Sequence, residues 1–330
     1  MASIKKFLSP YLAVVGELMK AIQLLDNQQI PKLTEVDIPN PIPGEGELLI
    51  RVHAAGVTPT ELLWYPTFNT KDGHKRIHAI PSHEFSGVIA GLGNNVECFE
   101  IGDEVYGMND WFAQGAAAEY CITTPSSIAR KPDKLSHSEA ATVPIGALTA
   151  WQGLFDRARL QSSERVLVHG GSGAVGAFVI QLAKLHGADV IATASTRNKE
   201  FVISLGADEV IDYEETAFET AVGKVEVLFD CVGGDTLARS WNMLSPNGRA
   251  VTIAANSEGA NNERIKNAFF IVEPKRQQLS DIGVLIDGGS LRPFVGAKIS
   301  FEEAPAAYAG NIKRSSGHGK IVLIPDAIKS

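Results

Sequence analysis

The stretch VLVHGGSGAVG, residues 166–176, constrains the fold more than any other part of this 330-residue chain. An apolar run ends at His169, glycines follow at 171, 173 and 176, and an apolar stripe of Val175, Phe178, Val179, Leu182 and Leu185 begins at once. This reads as strand, tight turn and amphipathic helix, with the G-x-G-x-x-G spacing of a dinucleotide-binding loop in its required context. Each glycine has an expected task. Gly171 permits the turn, Gly173 lets backbone N–H groups reach a pyrophosphate, and Gly176 allows the helix to pack closely on the sheet. The helix N-terminus then meets the phosphate charge.

The rest of the chain is organised around that unit. Strand-like runs at 165–169, 189–194, 209–212, 225–230 and 249–254 alternate with helical stretches, one closed by Gly187 and another, about 198–205, by Gly206. Such βαβα alternation predicts an α/β class domain, a doubly wound parallel sheet covered on both faces. Upstream, Ser136 with Glu139 forms a capping-box pattern that predicts a helix running through AATVPIGALTAW (140–151). Before it, a Pro- and Gly-rich loop (38–47) leads into a two-residue alternation at 48–54, and short β-like runs follow at 85–90, 104–108 and 116–123. After a helix near 273–287, runs at 298–300 and 320–324 are too few for a domain of their own. The expected division is an extension (1–18), a strand-rich domain from 19–143 completed by 290–330, and the α/β domain at 144–289.

Composition narrows the possibilities. Thirty Lys and Arg against 38 Asp and Glu give a net charge of −8, which invites neither nucleic acid nor an anionic membrane surface. Cys98, Cys121 and Cys231 are odd in number and far apart, so they suggest neither a disulfide framework nor a zinc spacing and fit a reducing, cytoplasmic setting. Lys5 and Lys6 before an apolar stretch at 7–16 imitate a signal peptide. Pro10 interrupts that stretch and Glu17 follows it, so an extension is the expected reading.

The loop's cofactor can be narrowed further. An NAD site usually carries Asp or Glu at the end of the second strand, roughly 20 residues on, to hold the ribose 2′-hydroxyl. Here that region reads ATASTRNK (192–199), with hydroxyls, Arg197 and Lys199 and no carboxylate. A 2′-phosphate is attracted by such cations and would be repelled by an acid, so NADP(H) is expected over NAD(H). The plainer alternative makes Arg197 and Lys199 solvated residues of the next helix's first turn.

Several segments together resemble the zinc-free, quinone-oxidoreductase-like branch of the medium-chain dehydrogenase/reductase superfamily. They include AAGVTPTELLW (54–64), IPSHEFSGVIAGLG (80–93), GDEVYG (102–107), AAAEYC (116–121), LGADEVIDY (205–213), FDCVGG (229–234) and GKIVL (319–323). The resemblance implies a GroES-like catalytic domain around an inserted Rossmann domain, NADP(H) as cofactor and a homodimer joined through residues 225–256. It further implies that Ser195, Lys199 and Tyr213 surround the 2′-phosphate. Thr149, Ser172, Ala174 and Val175 would lie along the cofactor, and Cys231, Val232, Gly233, Ile253, Ala254 and Ala255 on the nicotinamide side.

Where the superfamily's zinc enzymes place three metal ligands, this chain has Thr58, His83 and, near the third place, Ile145. One ligand in three cannot hold a catalytic zinc, so no metal is expected. Without a Lewis acid, a ketone is a poor hydride acceptor, whereas a quinone or α,β-unsaturated carbonyl already delocalises the charge. Thr58, Tyr65 and His83 are the candidate catalytic polar groups, with Trp64, Phe68 and Phe270 as apolar walls. An enoyl-thioester reductase of the same fold and a non-catalytic NADPH-binding protein are the alternatives. A serine hydrolase is disfavoured because GGSGA does not satisfy G-x-S-x-G.

Overall fold

The computed structural model describes residues 17–25, 32–315 and 317–326. Most of the expected extension, residues 1–16, lies outside the described residues. Leu18, the last residue of that expected extension, already pairs with Pro39 as the first residue of a strand.

The first domain contains β1 (Leu18–Leu24), β2 (Leu33–Pro39), β3 (Leu48–Gly56), β4 (Glu84–Leu92), β5 (Glu104–Met108), β6 (Tyr120–Thr123) and β7 (Ile128–Arg130). The α/β domain follows with β8 (Arg165–His169), β9 (Asp189–Ala194), β10 (Glu209–Asp212), β11 (Val225–Asp230) and β12 (Leu244–Thr252). The chain then returns with β13 (Val295–Ile299) and β14 (Lys320–Leu323). Among the described residues, β1 and β2 form an antiparallel pair, and a seven-stranded sheet runs β13-β14-β3-β4-β5-β7, with β6 pairing β3. β14 sits inside that sheet, parallel to β13 and antiparallel to β3, so the last strand completes the first domain's core. Ile50, Val52, Phe85, Ile89, Val105, Ile128, Phe301 and Leu323 fill this core at 6% exposure or less.

The five parallel strands of the second sheet run β10-β9-β8-β11-β12. The inner strands β8, β9 and β11 bury apolar side chains on both faces, as a sheet covered by helices on each side requires. β11 lies between β8 and β12, so within 225–256 only β12 stands at an edge of the sheet, β10 being the other edge, and the end of β12 is bridged at Thr252 by Phe269. The expected single helix over 136–151 is two. Ser136 does cap His137–Ala140 through a complete capping box, but the helix stops there and a new one runs Pro144–Trp151. Pro144 has no N–H to bond back to Ala140 and continue the first helix, and its fixed φ suits a first helical position, so it starts the second one instead. No described helix is long and apolar enough to cross a membrane.

Candidate active site

A cleft of about 820 Å³ opens where the strand order reverses between β8 and β11, and both domains line it. The glycine loop forms one wall, with Ser172, Gly173, Ala174, Val175 and Gly176 all on the lining. The loop's glycines divide their tasks differently from the sequence expectation. The left-handed turn is made by Gly170 (φ +76°), not by Gly171. Gly171 lies behind the lining, where a Cβ would stand 3.0 Å from Ile180 Cδ1 and 3.1 Å from Ala192 Cβ; its task is close packing. At Gly176 a Cβ would fall 2.2 Å from the Gly170 carbonyl oxygen, so the helix can begin against the loop only without a side chain.

At the end of β9, Ser195, Arg197 and Asn198 line the cleft with Tyr213 beside them, its N–H bonded to the Ala194 carbonyl at 3.2 Å. Asn198 Nδ2 donates to both Ser172 Oγ and Ser195 Oγ at 3.2 Å, fixing this corner to the glycine loop. Lys199 starts the next helix (Lys199–Ser204) and stays exposed outside the lining. Cations that sequence reasoning missed join from elsewhere: Arg239 on the helix after β11, which is paired with Glu219, and Arg314 and Lys320 from the returning segment. The described residues lining the cleft include no Asp or Glu.

On the other side, Cys231, Val232 and Ile253 reach the cleft, whereas Gly233, Ala254 and Ala255 do not. Gly233 instead gives its N–H to the Asp230 carboxylate at 3.0 Å, and its φ of +76° suits glycine. Thr149 is turned inward, its hydroxyl donating to the Ile145 carbonyl at 2.6 Å.

Of the three candidate catalytic groups, only Thr58 lines the cleft. Its Oγ1 accepts from Lys320 Nζ at 3.3 Å and lies 3.4 Å from Glu84 Oε1. Lys320 and Glu84 form a fully buried ion pair, and Glu84 Oε2 also accepts the Ile145 N–H at 2.9 Å. Burial lowers the Lys320 ammonium to about 7. Tyr65 is 52% exposed and outside the lining. His83 is packed in the core, with Nδ1 2.6 Å from Glu61 Oε2 and Nε2 3.2 Å from the Ala113 carbonyl. The same Glu61 accepts the Ser82 N–H and the Tyr308 hydroxyl, and Ser82 itself stands at φ +65°. None of the expected apolar walls lines the cleft. Phe270 is in the α/β core, Phe68 packs on the catalytic core, and Trp64 sits edge-on to Trp111 at 4.5 Å.

Sequence reasoning also passed over His169, which is completely buried beneath the loop yet borders the cleft. Its place directly before the glycines was the available signal. Lys320 had only its position in GKIVL to mark it.

A split catalytic domain, an inserted dinucleotide-type sheet and a cleft between them define a class of oxidoreductase. The description "Alcohol dehydrogenase GroES-like domain" matches residues 44–133, and "Zinc-binding dehydrogenase" matches residues 205–323. A protein of Arthroderma benhamiae named "Probable zinc-binding oxidoreductase, mitochondrial" is 34% identical over 322 residues, covering 90% of this chain and 95% of that one. Human quinone oxidoreductase is 27% identical over 333 residues, covering 95% of this chain and all of that one. The solved quinone oxidoreductase of Coxiella burnetii superposes with a TM-score of 0.81 at 30% identity, covering 93% of this chain and 99% of that one. The chain belongs to the medium-chain dehydrogenase/reductase superfamily, as a quinone-oxidoreductase-like member.

Proposed function

We propose that this protein is an NADPH-dependent oxidoreductase that reduces a quinone or an α,β-unsaturated carbonyl compound without a catalytic metal. One observation carries the cofactor choice. In a chain of net charge −8, the described cleft lining has Arg197 and Arg314, together with Arg239 and Lys320 that are paired with Glu219 and Glu84 behind it, and no carboxylate. That asymmetry favours the more highly charged phosphorylated dinucleotide. Glu214, which follows Tyr213, stays off the lining and accepts the Thr196 N–H at 3.1 Å.

The metal reading rests on the donor set. A catalytic zinc takes about three protein ligands and leaves one position open. Thr58 offers a hydroxyl already engaged with Lys320, Ile145 offers no donor, and both nitrogens of His83 face acceptors inside the core. The residues do not fit the ion.

Bound dinucleotide would supply a hydride to the acceptor. The chain's own residues do the rest. The glycine loop and the helix behind it receive the phosphates. Val57, Ile145, Ile253 and Ile321 give the cleft apolar wall. The Thr58 hydroxyl, whose proton lies toward Glu84 Oε1 at 3.4 Å, would turn from that carboxylate to donate to a carbonyl oxygen. With no Lewis acid to hold an alkoxide, a conjugated acceptor is the substrate class that this site suits.

The test is NADPH oxidation over quinones, enones, enoyl-CoA thioesters and simple ketones, with and without chelator, and with NADH in parallel. Quinone or enone turnover that survives chelation and prefers NADPH is expected. Ketone turnover that disappears with chelator overturns the metal-free reading, and NADPH binding without any turnover makes the protein a binder. A homodimer belongs to the same reading, with β12 as the open sheet edge; a monomer in sedimentation removes it.

A further inference from the structure

We infer that His169 is a positioning residue for cofactor binding: a neutral imidazole locked in one tautomer between helix 234–240 and the end of β9, which sets the first turn of the glycine loop. This rests on the reading of the cleft as a dinucleotide site. The bonds fix their own directions. Ser240 Oγ donates to the Thr236 carbonyl at 2.6 Å, so at 2.8 Å from His169 Nε2 it is the acceptor, and Nε2 carries the proton. Nδ1 is then the acceptor, and Thr193 Oγ1 donates to it at 3.1 Å. With its proton so committed, the Thr193 oxygen presents lone pairs to the Gly170 N–H, 3.4 Å away, while the Thr193 carbonyl takes the Gly171 N–H at 3.1 Å. One strand-end threonine thereby holds two successive amides of the loop, and His169 decides which way its hydroxyl points.

The surroundings keep the imidazole uncharged. It is buried, with the Phe218 ring tilted against it and the ring centroids 4.7 Å apart. The charged groups facing it are Asp230 at the end of β11, Glu219 on helix 218–221 and Arg239 on helix 234–240. Burial outweighs the two carboxylates and lowers its pKa to about 4. A second ring proton would face the Thr193 hydroxyl and compete with Gly170 for its oxygen.

The experiment compares wild type with Ser240→Ala, Thr193→Val and His169→Gln, using NADPH binding, the split between kcat and KM, and imidazole nitrogen NMR. The expected spectrum is a neutral ring protonated on Nε2 that does not titrate down to about pH 5. Ser240→Ala, which lies off the cleft, should raise the NADPH KM about fivefold to tenfold with kcat little changed, the effect of losing one hydrogen bond. Thr193→Val should do the same, and combining it with Ser240→Ala should add little, because both act through one chain. A ring protonated on Nδ1, titration near about 6.5, or a wild-type KM in Ser240→Ala overturns the inference. Should His169→Gln fail to fold, the two hydroxyl variants and the wild-type spectrum still decide. If wild type binds no NADPH at all, the cofactor reading itself has failed; binding that ignores Ser240 and Thr193 defeats only this inference.

Discussion

Gly176 leaves no room for a side chain, because the nearest atom to a Cβ there is a backbone oxygen, not a flexible tip. Gly176→Ala should therefore push the helix start off the loop, at a cost of about 1–3 kcal/mol in overpacking and with most NADPH binding lost. Denaturant titration and calorimetric binding check the two effects separately. Charge at the cleft gives a different signature. Arg197→Ala or Arg314→Ala should lower kcat/KM for NADPH at least about tenfold, the worth of a charge-assisted hydrogen bond, while changing NADH turnover little. Equal losses with both cofactors would remove these residues from phosphate selection. The glycine spacing and the cation at 197 were legible in the sequence because both depend on local geometry. His83 was not. Its partners, Glu61 and the Ala113 carbonyl, are brought to it by tertiary folding, and a motif position cannot reveal that both nitrogens are occupied.

Elements were most legible where burial and glycine punctuation coincide. The bounds of β5, β8, β9, β10 and β11 match the strand-like runs residue for residue, and each has a glycine within three residues of one end: Gly102, Gly170, Gly187, Gly206 and Gly223. β12 begins earlier than its apolar part, since 244–248 joins the strand through a register shift opposite β11, which no periodicity announces. The short helix at 137–140 brings His137 against His53 of β3, ring centroids 4.3 Å apart. Burial is the main reason that His53 is lowered to about 4, with His137 and Arg51 adding to it, and burial also lowers His137. Between the ordinary histidine value near 6.5 and about 4, the unfolded chain binds more protons than the folded one, so stability rises with pH in that window. Stability should hold above about 6.5 and decline as pH falls toward 4. His53→Gln should make that decline shallower in denaturant titrations at several pH values; an unchanged slope would clear the pair of this role.

At the scale of the molecule, Glu84 on β4 is where the chain's three passes meet. It binds Thr58 and Lys320 within the catalytic domain and the Ile145 amide where the chain crosses into the α/β domain. Removing one member of a buried ion pair strands the other charge, so Glu84→Ala should cost about 3–5 kcal/mol, whereas Glu84→Gln with Lys320→Met together should cost less. Thermal and chemical unfolding of the three proteins decides this. The change of texture near Ser136 and the return of strands after 290 were readable, and the returning strands do join the sheet of β3. The pairing of β14 between β13 and β3 was not readable, because nothing local in KIVL names its neighbours.

That pairing also sets an order of events during synthesis. As the polypeptide leaves the ribosome, the segment from β1 to β7 emerges first but lacks the strand that must lie beside β3, while the parallel sheet has everything it needs well before the end. The inserted domain can therefore mature on the nascent chain, and the earlier-made domain must wait, with apolar strand edges open, until Ile321, Val322 and Leu323 arrive. A ribosome stalled short of residue 320 would carry one finished domain and one client for chaperones.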